Sequence, residues 1–214
     1  MKDKLLKKRY IIGVITLIGF IIISYLLFTN RLDAFDNTIY EIIKCIRCSF
    51  CDTFFKIITY LGNTIPVVVI TIALLIYLDK HDRIILGSSM IVTLCINQII
   101  KHLIKRPRPP VEERLITQNG YSFPSGHSMM ALCLYGVLIY FVMTKVKDKK
   151  KKIFLVSILS LIILLIGLSR IYVRVHYPSD VAAGFLITIS ILVINITLIN
   201  NYFRGNKNVK DGNN

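Results

Sequence analysis

Residues 145–170 read KVKDKKKKIFLVSILSLIILLIGLSR: six lysines in eight positions, an unbroken apolar run from Ile153 to Leu168, then Ser169-Arg170. As an α-helix rising about 1.5 Å per residue, such a run nearly crosses a hydrocarbon core about 30 Å thick. The lysines do not follow it into lipid. By the bias of basic residues toward the cytoplasmic side, they mark the face from which the helix starts. Arg170 then emerges at the opposite face. This one stretch sets both the solvent of the chain and its orientation.

Working outward, Tyr10 to Phe28 repeats the pattern, and six spans can be drawn at about 10–28, 64–78, 84–104, 127–143, 153–172 and 180–199. The expected fold is all-α: one polytopic membrane helical bundle of about six transmembrane helices over residues 1–214, with a cytoplasmic tail from about 200. The composition agrees, with 54% hydrophobic residues and a mean hydropathy of +0.62 despite a net charge of +15. The N-terminus, the 79–83 and 144–152 loops and the C-terminal tail carry 16 of the 27 Lys and Arg residues, against 11 for the other three connections. Both termini are therefore expected in the cytoplasm. With lipid as solvent, no soluble basic face remains for a nucleic acid. The first span reads as a retained anchor, because its apolar stretch exceeds a signal-peptide core and Phe28-Thr-Asn-Arg-Leu32 offers no small-residue cleavage site.

Three clusters fall at span ends on the extracytoplasmic face: Lys101 with Arg108-Pro109, Pro124-Ser125-Gly126-His127, and Ser169-Arg170 with His176 and Asp180. Asp180 follows His176 by four residues, so its carboxylate can reach one imidazole nitrogen and leave the other free to attack. His127 opens the fourth span, where Gly126 permits a tight turn and helix-start amides attract an anion. There a histidine can protonate a leaving oxygen, and Ser125 can add a hydroxyl donor. Lys101, Arg108 and Arg170 supply the cations that a phosphate requires. Lys105, Arg106 and Arg114 are expected only to attract anionic headgroups. Within the third span, Asn97 and Gln98 are expected to serve packing through interhelical hydrogen bonds.

The spacing K-x6-R-P, P-S-G-H, S-R-x5-H-x3-D resembles the three-part signature of the type 2 phosphatidic acid phosphatase (PAP2) superfamily, complete at every position over about residues 101–184. The resemblance implies a lipid phosphatase with no metal or other cofactor and a phosphohistidine intermediate. His176 would be the nucleophile, Asp180 its partner and His127 the general acid. Lys101, Arg108, Ser125, Gly126 and Arg170 would bind phosphate, and the spacing selects Arg108 rather than Arg106 as the clamp. The expected substrate is a lipid phosphate or diphosphate at the outer leaflet, with undecaprenyl diphosphate foremost and phosphatidylglycerophosphate or phosphatidate as the alternative. A vanadium haloperoxidase has a similar pocket but is soluble. A transporter would place charge across the bilayer, whereas here it gathers at one face.

Cys45, Cys48 and Cys51 form C-x2-C-x2-C, but an iron–sulfur run would place a fourth cysteine where Phe55 stands. The pattern of Ile39, Ile42, Ile43, Ile46 and Phe50 predicts a single amphipathic helix outside the membrane from Phe35 to Tyr60, with the cysteines along one flank. A disulfide stays open, although i,i+3 pairs within a helix rarely meet its geometry.

Overall fold

A computed structural model describes residues 2–211, and side chains over residues 8–205. Eight α-helices follow one another: α1 (Lys2–Phe28), α2 (Asp33–Lys44), α3 (Ser49–Leu61), α4 (Thr64–Tyr77), α5 (Lys80–Ile104), α6 (Gly126–Lys145), α7 (Lys149–Tyr172) and α8 (Pro178–Asp211). No strand occurs among the described residues. Side chains that compete with backbone hydrogen bonding set several starts. Asp79 caps α5 by accepting from the Asp82 amide at 3.0 Å, and Asp148 caps α7 by accepting from the Lys151 amide at 2.7 Å. At its other end α5 stops where Lys105 turns left-handed, with φ 51°.

Helices α1, α5, α6, α7 and α8 are each long and apolar enough to cross a membrane, and α3 with α4, bent by 43°, is as a pair long and apolar enough for a broken span or a re-entrant loop. With only 14 residues, α4 reaches about 21 Å and falls short of the hydrocarbon core alone. Here the expectation needs correcting. The segment 35–60 is two helices broken at residues 45–48, and α3 continues α4 rather than lying wholly apart. Cys48 is the N-cap of α3, so the three cysteines share no single helical flank. The last helix runs on past residue 200 to Asp211.

Half of the spanning window of α8 is buried, against 11% for α1, which makes α8 the hub and α1 a peripheral strut. Facing contacts run Gly13 to Val193 and Gly19 to Leu186, so the two helices are antiparallel. Ile85, Leu86, Leu134, Val137, Ile166 and Leu192 form the main core between α5, α6, α7 and α8. In lipid the apolar surface gives little drive to associate, so close packing and polar contacts between helices hold the bundle. Asn195 donates to the hydroxyls of Ser88 and Ser89, each at 2.8 Å. The outward faces, including Ile15, Ile72, Ile91 and Leu164, stay apolar and exposed, as a lipid solvent demands.

Candidate active site

The ends of α5 and α7 and the starts of α6 and α8 meet at one end of the bundle, around a cavity of about 320 Å³. Lys101, Arg108, Gly126, His127 and His176 line it, together with Asn97, Gln98 and Gln118. Five of the eight expected site residues therefore border one space. Ser125, Arg170 and Asp180 are fully buried behind it.

His176 is 1% exposed and held between two partners. Its Nδ1 lies 3.4 Å from Asp180 Oδ2, and its Nε2 lies 3.0 Å from Arg108 Nη1. Arginine has only donors, so Nε2 accepts and the ring proton sits on Nδ1. Burial, followed by the charges of Arg108, Arg170 and Lys101, pushes the His176 pKa well below its ordinary value. The result is a neutral imidazole whose lone pair points toward Arg108. Arg108 also donates to the carbonyls of Gly120 (2.9 Å), Val175 (2.8 Å) and Asn119 (3.1 Å). Burial first, then Arg114, lowers the Arg108 pKa to about 10, which leaves the guanidinium charged near neutrality.

Arg170 reaches the Thr59 hydroxyl of α3 through Nη1 and Gln118 Oε1 through Nη2 at 3.0 Å. Its Nε is buried without a hydrogen-bond partner among the described residues. Lys101 Nζ donates to the Tyr121 carbonyl at 2.5 Å. At the start of α6, Ser125 Oγ accepts from the Ser128 amide at 3.4 Å and the Ser128 hydroxyl at 2.8 Å. The Ser125 side chain is thus engaged as a helix cap. Gly126 is not in a left-handed conformation; a Cβ there would lie 3.2 Å from Asn97 Oδ1. Close approach, rather than a tight turn, requires that glycine. Asn97 donates to the Pro124 carbonyl at 3.3 Å and, between helices, to Met129 Sδ of α6 at 3.1 Å, while also lining the cavity.

Sequence reasoning missed the support beneath the site. Arg106, expected only to attract headgroups, is 8% exposed and bridges two buried carboxylates: Asp180 Oδ1 at 2.6 Å and Asp36 Oδ2 at 2.7 Å. Its guanidinium carbon lies 3.9 Å from the Tyr177 ring centroid. Asp36, from α2, also accepts from the Ser179 amide at 2.8 Å and hydroxyl at 2.7 Å. Ser122 donates to Asp180 Oδ2, and the Tyr177 amide does so at 2.9 Å. Asp180 is thereby fixed as an acceptor with one oxygen toward His176. The only sequence signal was the duplicated Arg-Pro of residues 106–109.

This combination of a membrane bundle and a histidine–cation pocket at one end defines a class that comparison with known proteins makes specific. A family model described as "PAP2 superfamily" matches residues 83–204. Phosphatidylglycerophosphatase B of Bacillus subtilis is 31% identical over 173 residues, covering 78% of this chain and 84% of that protein. The crystal structure of a transmembrane PAP2 type phosphatidylglycerolphosphate phosphatase from Bacillus subtilis superposes with a TM-score of 0.75 at 29% identity, over 90% of this chain and 96% of that one. That of Aquifex aeolicus LpxE gives 0.63 at 27%, over 75% and 93%. The chain belongs to the PAP2 superfamily. It is a multi-pass membrane lipid phosphatase.

Proposed function

We propose that the protein removes the terminal phosphate monoester of phosphatidylglycerophosphate through a phosphohistidine on His176. The observation that carries the mechanism is the placement of His176, with Nδ1 turned to Asp180 and Nε2 turned to Arg108. The substrate reading rests on similarity along most of the chain to a phosphatidylglycerophosphatase. That support goes to the alternative named from the sequence, and undecaprenyl diphosphate has no comparable support.

In the proposed reaction a phosphate oxygen takes over the Arg108 N–H that now caps Nε2. The freed lone pair attacks phosphorus in line with the leaving alkoxide. Arg108 and Lys101 hold the equatorial oxygens, and the unpartnered Arg170 Nε is the further donor behind them. His127, on the cavity wall, gives a proton to the leaving oxygen. It then withdraws one from the water that attacks phosphohistidine. Asp180 stabilises the imidazolium as it forms, and Arg106 with Asp36 keeps that carboxylate in place. Fixed cations thus occupy the place where other phosphatases use paired metal ions.

Purified protein assayed for phosphate release over a panel of lipid phosphates, with excess EDTA, tests both parts. Phosphatidylglycerophosphate should give the highest kcat/KM, and EDTA should leave the rate unchanged. A higher kcat/KM for undecaprenyl diphosphate would overturn the substrate reading. Loss of activity in EDTA restored by Mg²⁺ would overturn the mechanism.

A further inference from the structure

Three of the five cysteines fall within residues 45–51, and nothing in the phosphatase chemistry uses them. The break between α2 and α3 separates their roles. Cys45 closes α2, its Sγ donating back to the Glu41 carbonyl at 3.3 Å. Cys48 stands as N-cap of α3 in extended conformation (φ −157°, ψ 161°), and its Sγ accepts from the Cys51 amide at 3.2 Å. Cys51 is then the third helical residue. Side chains at the N-cap and third positions turn toward one another, the relation that lets a capping-box pair bond reciprocally. The obstacle to an i,i+3 disulfide inside a helix is absent when the first residue lies outside it. Cys48 is exposed and Cys51 half-buried, so a small reagent reaches the pair.

We propose that Cys48 and Cys51 form a thiol–disulfide exchange site that takes a small-molecule disulfide, with Cys48 as the attacking thiolate and Cys51 as the resolving thiol. The Cys48 pKa is lowered, chiefly by hydrogen bonding from the Cys51 side chain and then from the Cys51 amide. The positive end of the α3 dipole acts in the same direction. Cys48 sulfur attacks one sulfur of the reagent RSSR and expels RS⁻, leaving a mixed disulfide. Cys51 loses its proton to the expelled thiolate, attacks Cys48 Sγ and releases the second RS⁻, which takes a proton from water. Two protein thiols are oxidised and one RSSR becomes two RSH.

The bond would close the first turn of α3 beside Tyr172, the last residue of α7. The Tyr172 hydroxyl donates to Asp52 at 2.7 Å, and Arg47 donates to the Tyr172 carbonyl at 3.0 Å. The site therefore lies at the same end of the bundle as the phosphatase cavity and is chemically independent of it.

Full-length protein in detergent is equilibrated at graded cystine/cysteine ratios, alkylated at low pH and digested with trypsin. Cleavage after Lys44, Arg47 and Lys56 separates Cys45 from a peptide holding both Cys48 and Cys51. Under oxidation that peptide should appear unalkylated and lighter by two hydrogens, reverting with dithiothreitol, while Cys45 stays alkylated. Cys51→Ser should trap a cysteine adduct on Cys48. Cys48→Ser keeps a capping oxygen and should leave Cys51 reacting about tenfold slower or worse. Three results overturn the site: a cross-link to the Cys45 peptide, a persistent adduct in the wild type, or both thiols still alkylated at the most oxidising ratio. Equal reaction rates for Cys48 and Cys51 in the single variants overturn the assignment of the attacking thiolate.

Discussion

In the proposed reaction His176 acts through a lone pair that no proton occupies. Burial and three nearby cations keep its ring neutral, and its folded pKa lies well below 6.5. The unfolded chain binds a proton near 6.5 that the folded ring refuses, so this residue subtracts stability as pH falls below 6.5 and nothing above it. For the same reason, protonation of His176 should put no acid limb on kcat/KM between pH 8 and 6.5, measured with an aryl phosphate ester whose own ionisation is corrected for. An apparent pKa of 7 traced to His176 would contradict the neutral-nucleophile reading. His176→Ala should lower kcat by about 10³-fold or more. His127→Ala should still form phosphoenzyme from a p-nitrophenyl ester, whose leaving group needs no proton. Failure of that variant to show a burst of p-nitrophenolate would remove His127 from the role of acid. Two residues away from the clamp arginine, Arg106 predicts a different signature. Arg106→Gln strands the Asp36 and Asp180 carboxylates, which should cost about 3–5 kcal/mol of stability and lower kcat with KM little changed. Arg108→Gln should raise KM as well, because phosphate contact is lost. Matching kinetic changes in the two variants would mean that Arg106 also touches the substrate.

At the scale of elements, the junctions hold the geometry. Gly62 marks the bend between α3 and α4, where a Cβ would lie 2.5 Å from Ile166 Cγ2 and 3.6 Å from His127 Cβ. Gly62→Ala should therefore cost about 1–3 kcal/mol in denaturant unfolding and depress activity by pushing His127 or α7. Ile166→Ala removes the clashing methyl, and the double variant should be more stable than the sum of the single losses by about 1 kcal/mol. Simple additivity would show that the bend tolerates a side chain. That contact was not legible in the sequence, since Gly62 and Ile166 are over a hundred positions apart and neither belongs to a motif. The long spans were legible because lipid forces continuous apolar runs such as Tyr10 to Phe28 and Ile153 to Leu168. The clusters were legible because cations, histidines and turn residues recur at fixed spacing at span ends. The break at residues 45–48 was not, because Ile39 to Phe50 keeps a helical period through it while the thiol of Cys48 acts as a cap. Arg106 was misread because a basic residue beside a membrane face ordinarily meets headgroups, and its partner Asp36 is 70 residues earlier.

For the whole molecule, the antiparallel pairing of α1 with α8, which starts at the cavity, brings the beginning of α1 and the end of α8 to the opposite end of the bundle. That end also carries Lys80, Lys145 and the lysines that open α7, with Lys145 bonded to Asp79 at 2.9 Å and paired with buried Asp82. The bias of basic residues toward the cytoplasm predicts that this end stays on that side. That orientation predicts a cavity open at the outer face, to lipid of the outer leaflet. An introduced cysteine at exposed Glu112, in a chain whose Cys45, Cys48, Cys51 and Cys95 are replaced by serine, should react with a membrane-impermeant maleimide on intact cells. A second cysteine at Lys150 should react only after lysis. Reversal of the two would invert the orientation and move the substrate to the inner leaflet, while leaving the fold and the pocket as described. Replacing Lys147, Lys149, Lys150, Lys151 and Lys152 with glutamine should yield a mixed population, in which Glu112 labelling from outside falls below the wild-type fraction. In detergent, where orientation no longer matters, the specific activity of that variant should match the wild type. A loss there would mean that the basic loop acts on the site itself, across the full length of α6 and α7, rather than on insertion.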